Sequence, residues 1–232
     1  MDSFSNQLRD EAVDLWSALP LHPFIKEMAT GELPIGKFRF YIDQNLLYLP
    51  DYARALAIGI QVSQSAAELK WFTDAVNNIV NVEIPENIEL QCRISQLGGE
   101  PHHAAAVMAP ATLAYTSYLL ATAARSDALG ILSLILPCAW SYQEIALAHV
   151  QDAVDHPVYA EWLRFFSTEE YKSVVDQLCQ SVDELADASS TSQLLSASKV
   201  FRAGLRLEIA FWDMAYEENH WPDLNPRNKG AS

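Results

Sequence analysis

Apolar residues recur along this chain at helical spacing, and alternation of period two is scarce. Leu8, Ala12, Val13, Leu15, Trp16 and Leu19 form one stripe in a segment from Asn6 to Leu19. Pro20, Pro23 and Gly31 bracket a short helix over Phe24 to Ala29. Leu33-Pro34 opens a long helix to about Ser63, with a bend expected at Pro50. Ser65-Ala66-Ala67-Glu68 reads as a capping box for a helix to Val80, and another helix follows from Pro85 to Leu97. Gly98-Gly99-Glu100-Pro101 is a loop. Pro110 starts a helix through Ala124, and Ser126-Asp127 caps the next, to about Ala153. His156-Pro157 starts a short helix, Ser167-Thr168-Glu169-Glu170 caps one to Ala186, and the last runs from Gln193 to Glu218. No segment reads as an interdomain linker or a repeat. The expectation is one all-α domain over residues 1–221 with eight or nine helices, and a flexible tail over 222–232.

One stretch stands out, Leu134-Ile135-Leu136-Pro137-Cys138-Ala139-Trp140-Ser141-Tyr142. A proline inside a helix removes a donor, here the partner of the Ser133 carbonyl, and costs about 3 kcal/mol. Cys138 and Tyr142 are four apart and share a face. That face either lines a pocket or is plain core, since free cysteine is a commonly buried residue.

Composition narrows the function. Fifteen basic against thirty acidic residues give a formal charge of −15, which repels phosphate backbones and anionic membrane surfaces. No nucleic-acid or membrane partner is therefore expected. Cys92, Cys138 and Cys179 are widely spaced, with no disulfide framework and no zinc signature. The N-terminus lacks a basic region and an apolar region, and the longest apolar run, Ala128 to Trp140, is short of a span and carries a proline. The chain reads as soluble and cytoplasmic.

Two further helix faces carry candidate chemistry. Tyr41, Asn45, Tyr48 and Tyr52 lie on one stripe, and three phenols with an amide need polar partners if buried. Glu208 shares a face with Leu205, Trp212 and Ala215. A carboxyl there is either a bonded strut or an acid–base group with a raised pKa. Tyr115-Thr116-Ser117-Tyr118 says little alone. Glu100-Pro101-His102-His103 contains Glu-x-x-His, but in a Gly/Pro loop instead of the two helices a di-metal site needs. His22, before Pro23, orders a loop more readily than it ligates haem.

Taken in order, these pieces resemble the TenA family of thiaminase II proteins. The set comprises His22-Pro23-Phe24, Leu33-Pro34, Gln44-Asn45 with Tyr48, Ala114-Tyr115-Thr116, Pro137-Cys138-Ala139-Trp140 with Tyr142, His156-Pro157, and Glu208 with Phe211-Trp212. The resemblance implies an all-α, haem-oxygenase-like bundle without haem, metal or other cofactor, assembled as a homotetramer. It implies hydrolysis of an aminopyrimidine in thiamin salvage: 4-amino-5-aminomethyl-2-methylpyrimidine to the hydroxymethyl pyrimidine plus ammonia, with thiamin a poorer substrate. It implies Cys138 as nucleophile, Glu208 as acid–base residue, and Asn45, Tyr48, Tyr115, Tyr142 and Phe166 as substrate-binding residues. Three positions depart from the family pattern. Asn45 stands for a usual aspartate, Phe166 for a usual tyrosine, and Ala146 for a frequent glycine. Two other readings stay open: a ligand-binding or regulatory protein without catalysis, and a different enzyme on the same fold acting on a related amine.

Overall fold

The computed structural model describes residues 3–100 and 107–222. Eleven α-helices are present among them, and no strand. Helix α1 (Phe4–Glu11) and α2 (Val13–Trp16) are separated at Ala12. They are followed by α3 (Pro23–Thr30), α4 (Ile35–Val62), α5 (Ala66–Asn78), α6 (Ile84–Gln96) and α7 (Pro110–Ala123). Then come α8 (Ala128–His149), α9 (Tyr159–Phe166), α10 (Glu169–Asp187) and α11 (Thr191–Glu217).

Helix α8 is the axis of the bundle. Helix α11 packs along it, α10 and α9 flank it, and α4 meets it both directly and through α7. It is long and apolar enough to cross a membrane, yet 78% of its most apolar window is buried inside the fold. Every residue from Leu129 to Pro137 except Gly130 is buried. Pro137 sits within the continuous helix, and the Ser133 hydroxyl beneath it is buried without a partner. The neighbouring helix accommodates the proline. A Cβ on Gly204 of α11 would stand 2.8 Å from Pro137 Cγ and 3.3 Å from its Cβ. A pyrrolidine ring has no flexible end to move aside. Gly204→Ala is therefore expected to destabilise the fold by about 1–3 kcal/mol through overpacking, read as a lower urea midpoint.

The expected helices are present, with local differences. The segment from Asn6 to Leu19 is two short helices because its halves dock separately. Ser5 of α1 bonds Asp183 on α10, while Trp16 of α2 packs on Trp140 and Phe201. Helix α8 ends at His149, short of Ala153. Helix α4 runs unbroken through Pro50. At α5, Ser65 Oγ accepts from Glu68 N, but the Glu68 carboxylate reaches the amide of Gln64 instead of that of Ser65. Thr168, not Ser167, caps α10, through the amide of Tyr171. The full reciprocal box occurs at Ser190 and Gln193. The gap expected between Val80 and Pro85 is instead a π-helical segment, Ile79–Glu83, that runs α5 into α6. There the amide of Ile84 reaches back five residues to the Ile79 carbonyl, and Pro85 follows as the residue that has no amide to donate. His102, His103 and all of the expected tail but Pro222 lie outside the described residues.

Candidate active site

A cavity of about 370 Å³ opens between α4, the end of α5, the π-helical segment, α8 and α10. Its size is that of small-molecule sites. Helix α4 contributes Asn45, Tyr48 and Tyr52, and α8 contributes Cys138 and Tyr142, each set on one face at helical spacing. Phe166 from α9 and Tyr171 from α10 complete the aromatic wall. Tyr41, the first member of the tyrosine stripe, is not on the cavity wall. It lies fully buried behind it, stacked on Trp212.

Glu208 and Tyr115 stand behind Cys138, in a cleft shared with Phe211 that is too tight for water. The Tyr115 hydroxyl donates to Glu208 Oε1 at 2.5 Å, and the Cys138 thiol stands beside the same carboxyl on the cleft wall, close enough to favour its charged form. Burial raises the Glu208 pKa to about 7 against the pull of those two neighbours. Burial also pushes the Cys138 thiol well above its usual range, and the charge of Glu208 adds to the shift. Cys138 nonetheless keeps partial exposure to the cavity. A resting thiol beside a carboxyl whose basicity burial has raised is a nucleophile with its proton acceptor in place. The Tyr48 hydroxyl is buried with no hydrogen bond of good geometry, and it interacts with Cys138 and Tyr115 only at a looser approach.

Two relays give the wall its polarity. Trp162 Nε1, which can only donate, donates to the Tyr41 hydroxyl at 3.2 Å. Tyr41 donates to Tyr142 at 3.4 Å, so the Tyr142 proton is left to point onward. On the opposite side Asn87 Nδ2 donates to the Glu83 carbonyl at 2.8 Å. Asn87 Oδ1 must then accept, and it does so from Asn45 Nδ2 at 3.0 Å. The pole Asn45 offers a ligand is its carbonyl oxygen. The cavity thus presents an acceptor and a donor across an aromatic slot.

His22, His149 and His156 hold the backbone together. His22 Nδ1 accepts from the Phe24 amide and caps α3, while its Nε2 meets Asp213. His149 bonds the Pro20 carbonyl, and His156 accepts from the amides at the start of α9. Among the described residues no three potential metal ligands cluster. The site residues expected from the sequence therefore converge on one place. Five of them, Asn45, Tyr48, Cys138, Tyr142 and Phe166, line the cavity, and Glu208 and Tyr115 back it. Sequence reasoning missed Glu83, whose carboxyl faces the cavity from the π-helical segment. No periodicity or motif marks it.

An all-helical bundle that encloses a small aromatic cavity, with a thiol and a carboxyl at its floor, has the architecture of the haem-oxygenase-like domains. A structure from Shewanella denitrificans described as having a heme oxygenase-like fold shares this architecture at a TM-score of 0.68, with 15% identity over 92% of both chains. The model of the TENA/THI-4/PQQC family matches residues 9–218, and the chain belongs to that family. An aminopyrimidine aminohydrolase of Halalkalibacterium halodurans is 36% identical over 94% of this chain and 98% of its own. One of Helicobacter pylori is 30% identical over 92% and 98%. A TenA homologue from P. horikoshii OT3 superposes with a TM-score of 0.80 and 28% identity, over 93% of this chain and 99% of its own.

Proposed function

We propose that this protein is an aminopyrimidine aminohydrolase of thiamin salvage that converts 4-amino-5-aminomethyl-2-methylpyrimidine to the hydroxymethyl pyrimidine and ammonia. The observation that carries the reading is the Cys138–Glu208–Tyr115 set at the floor of an aromatic cavity that presents an acceptor and a donor. The relatives named for this activity, similar over nearly their whole length, support it.

Cys138 Sγ adds to the pyrimidine ring carbon beside the one that bears the aminomethyl group, and its proton passes to Glu208. The displaced ring electrons form an exocyclic double bond, and the amine leaves as ammonia with the proton from Glu208. Water then adds to the exocyclic carbon and gives a proton to Glu208. The ring electrons return, the C–S bond breaks, and Glu208 reprotonates the thiolate. Tyr115 holds the carboxyl in place, Tyr48 and Phe166 hold the ring, Tyr142 donates to a ring nitrogen, and Asn45 accepts from the ring amino group. The reading includes a cytoplasmic homotetramer that needs no cofactor or metal, and sedimentation of the purified protein tests the assembly.

A mass-spectrometric turnover assay on the aminomethylpyrimidine, thiamin and formylated analogues tests the function. Release of hydroxymethyl pyrimidine and ammonia from the first, faster than from thiamin, is expected. Absence of turnover on all three overturns the reading. The mechanism also fixes a pH dependence. Glu208 must be ionised to take the thiol proton, and its pKa is raised to about 7. The value of kcat/KM is therefore expected to fall about tenfold per pH unit below 7, followed as ammonia release across pH 5–8.

A further inference from the structure

The segment from Trp71 to Glu83 supplies eight of the residues that line the cavity, and two of them carry carboxyls, Asp74 and Glu83. Asp74 is held by Lys70 at 2.5 Å. Glu83 is paired with no cation, and no lysine, arginine or histidine is among the described residues of the cavity wall. Asn78 Nδ2 donates to Glu83 Oε1 at 3.1 Å and fixes the carboxyl in position. The π-helical turn places it there. The extra residue between Ile79 and Ile84 offsets Glu83 from regular α-helical register, and π-turns recur at functional positions. The backbone carbonyl of Glu83 also anchors Asn87, which in turn orients Asn45. One residue therefore brings a carboxyl to the cavity lining and, through Asn87, sets the acceptor that Asn45 presents on the same side. The amide of Asn45 offers no charge, so a ring that binds in protonated form needs an anion from elsewhere. Glu83 acts on the site's charges already: its negative form opposes ionisation of Cys138, Tyr52 and Tyr171. Burial raises its own pKa to about 7, so a cationic partner would draw it into the charged form.

We propose that Glu83 is a substrate-contacting residue, the anionic half of a split acceptor edge with Asn45 that holds a protonated aminopyrimidine in the cavity. This rests on the aminopyrimidine reading. The carboxylate forms a charge-assisted hydrogen bond with the protonated ring edge, while the Asn45 carbonyl takes the exocyclic amino group. Cationic heterocycles of this class are preferred over neutral ones of the same shape.

The test is calorimetric titration with the reaction product, the hydroxymethyl aminopyrimidine, which binds without turning over. Glu83→Gln keeps the Asn78 contact and the backbone anchor. Loss of the charge-assisted bond is expected to weaken product binding about tenfold or more, with the melting temperature unchanged. Adding Asn45→Asp to Glu83→Gln moves the anion to the other half of the edge and is expected to restore binding to within about threefold of wild type. A purely structural Glu83 has no reason to be rescued by a charge placed on a different helix. Binding by Glu83→Gln within about twofold of wild type overturns the proposal, as does a weakening that Asn45→Asp leaves unchanged. Wild-type protein that does not bind the pyrimidine at all overturns the aminopyrimidine reading itself, and the two failures are thereby distinct.

Discussion

Cys138→Ala is expected to reduce ammonia release from the aminomethylpyrimidine by roughly a thousandfold or more, while leaving product affinity nearly unchanged. Loss of a covalent nucleophile removes the route itself and not one contact along it. No other thiol stands on the cavity wall among the described residues. Tyr48, Tyr52, Tyr142 and Tyr171 are phenols driven well above their usual pKa by burial, and Glu208, set behind the thiol, is placed to carry protons and not to attack the ring. Alanine at this position deletes one partly exposed sulfur from a half-open wall, so the fold should change little. The diagnostic is the separation of the two readouts. A ligand-binding protein would lose neither, and a misfolded variant would lose both. Turnover that persists in Cys138→Ala would remove the covalent step and leave Glu208 to activate water directly. Glu208→Gln completes the comparison. It keeps the Tyr115 contact but cannot accept the thiol proton, and its turnover is expected to fall as far as that of Cys138→Ala.

The parts of this site legible in the sequence were those a helix repeats. Cys138 and Tyr142 share a face because they are four apart, as do Tyr48 and Tyr52, and the fold keeps each pair together. Glu208 announced itself as a lone carboxyl on an apolar stripe, and the structure makes it one of the most buried charged residues, at 1% exposure. That such faces meet in one cavity is a tertiary fact which periodicity does not contain. The ordered resemblance to a known family supplied it. Tyr41 shows the limit from the other side. It obeys the same spacing as Asn45 and Tyr48, yet it faces Trp162 and Trp212 behind the wall, because it lies a turn nearer the start of α4, where those rings and not the cavity meet the helix face. Glu83 shows a different limit. Its position depends on a π-helical turn just ahead of Pro85. From sequence, that proline reads as a break followed by a new helix, and a local pattern does not distinguish a break from a widened turn. The division at Ala12 was hidden for the same reason, because competing docking partners and not any breaker residue impose it.

Arg39→Ala is expected to destabilise the fold by about 3–5 kcal/mol, the largest stability effect of a single substitution near the site. Arg39 and Asp43 lie one turn apart on α4, and both are almost fully buried, at 6% and 5% exposure. Arg39 Nε donates to Asp43 Oδ1 at 2.8 Å, and its Nη1 reaches Ser95 Oγ at 2.6 Å and the Gly99 carbonyl at 3.1 Å. Gln91 Nε2 adds a second bond to Asp43 Oδ1, whereas Oδ2 has none. The guanidinium thus ties the end of α6 to α4. Removing it strands a buried carboxylate with one neutral donor, the situation in which half of a buried pair costs most. Replacing both partners, Arg39→Met with Asp43→Leu, removes the stranded charge together with its counter-ion. It is expected to recover most of the loss, so urea denaturation of the two single variants and the double variant measures the coupling. The effect reaches the active site through α6. Asn87 is one turn before Gln91 on that helix, and Asn87 is what turns the Asn45 carbonyl toward the cavity. Arg39→Ala should therefore weaken product binding even at temperatures where the protein stays folded, and the double variant should restore stability further than it restores affinity, because an apolar pair packs α4 on α6 without fixing the register of Asn87. Equal recovery of both would mean that the ion pair serves the fold alone.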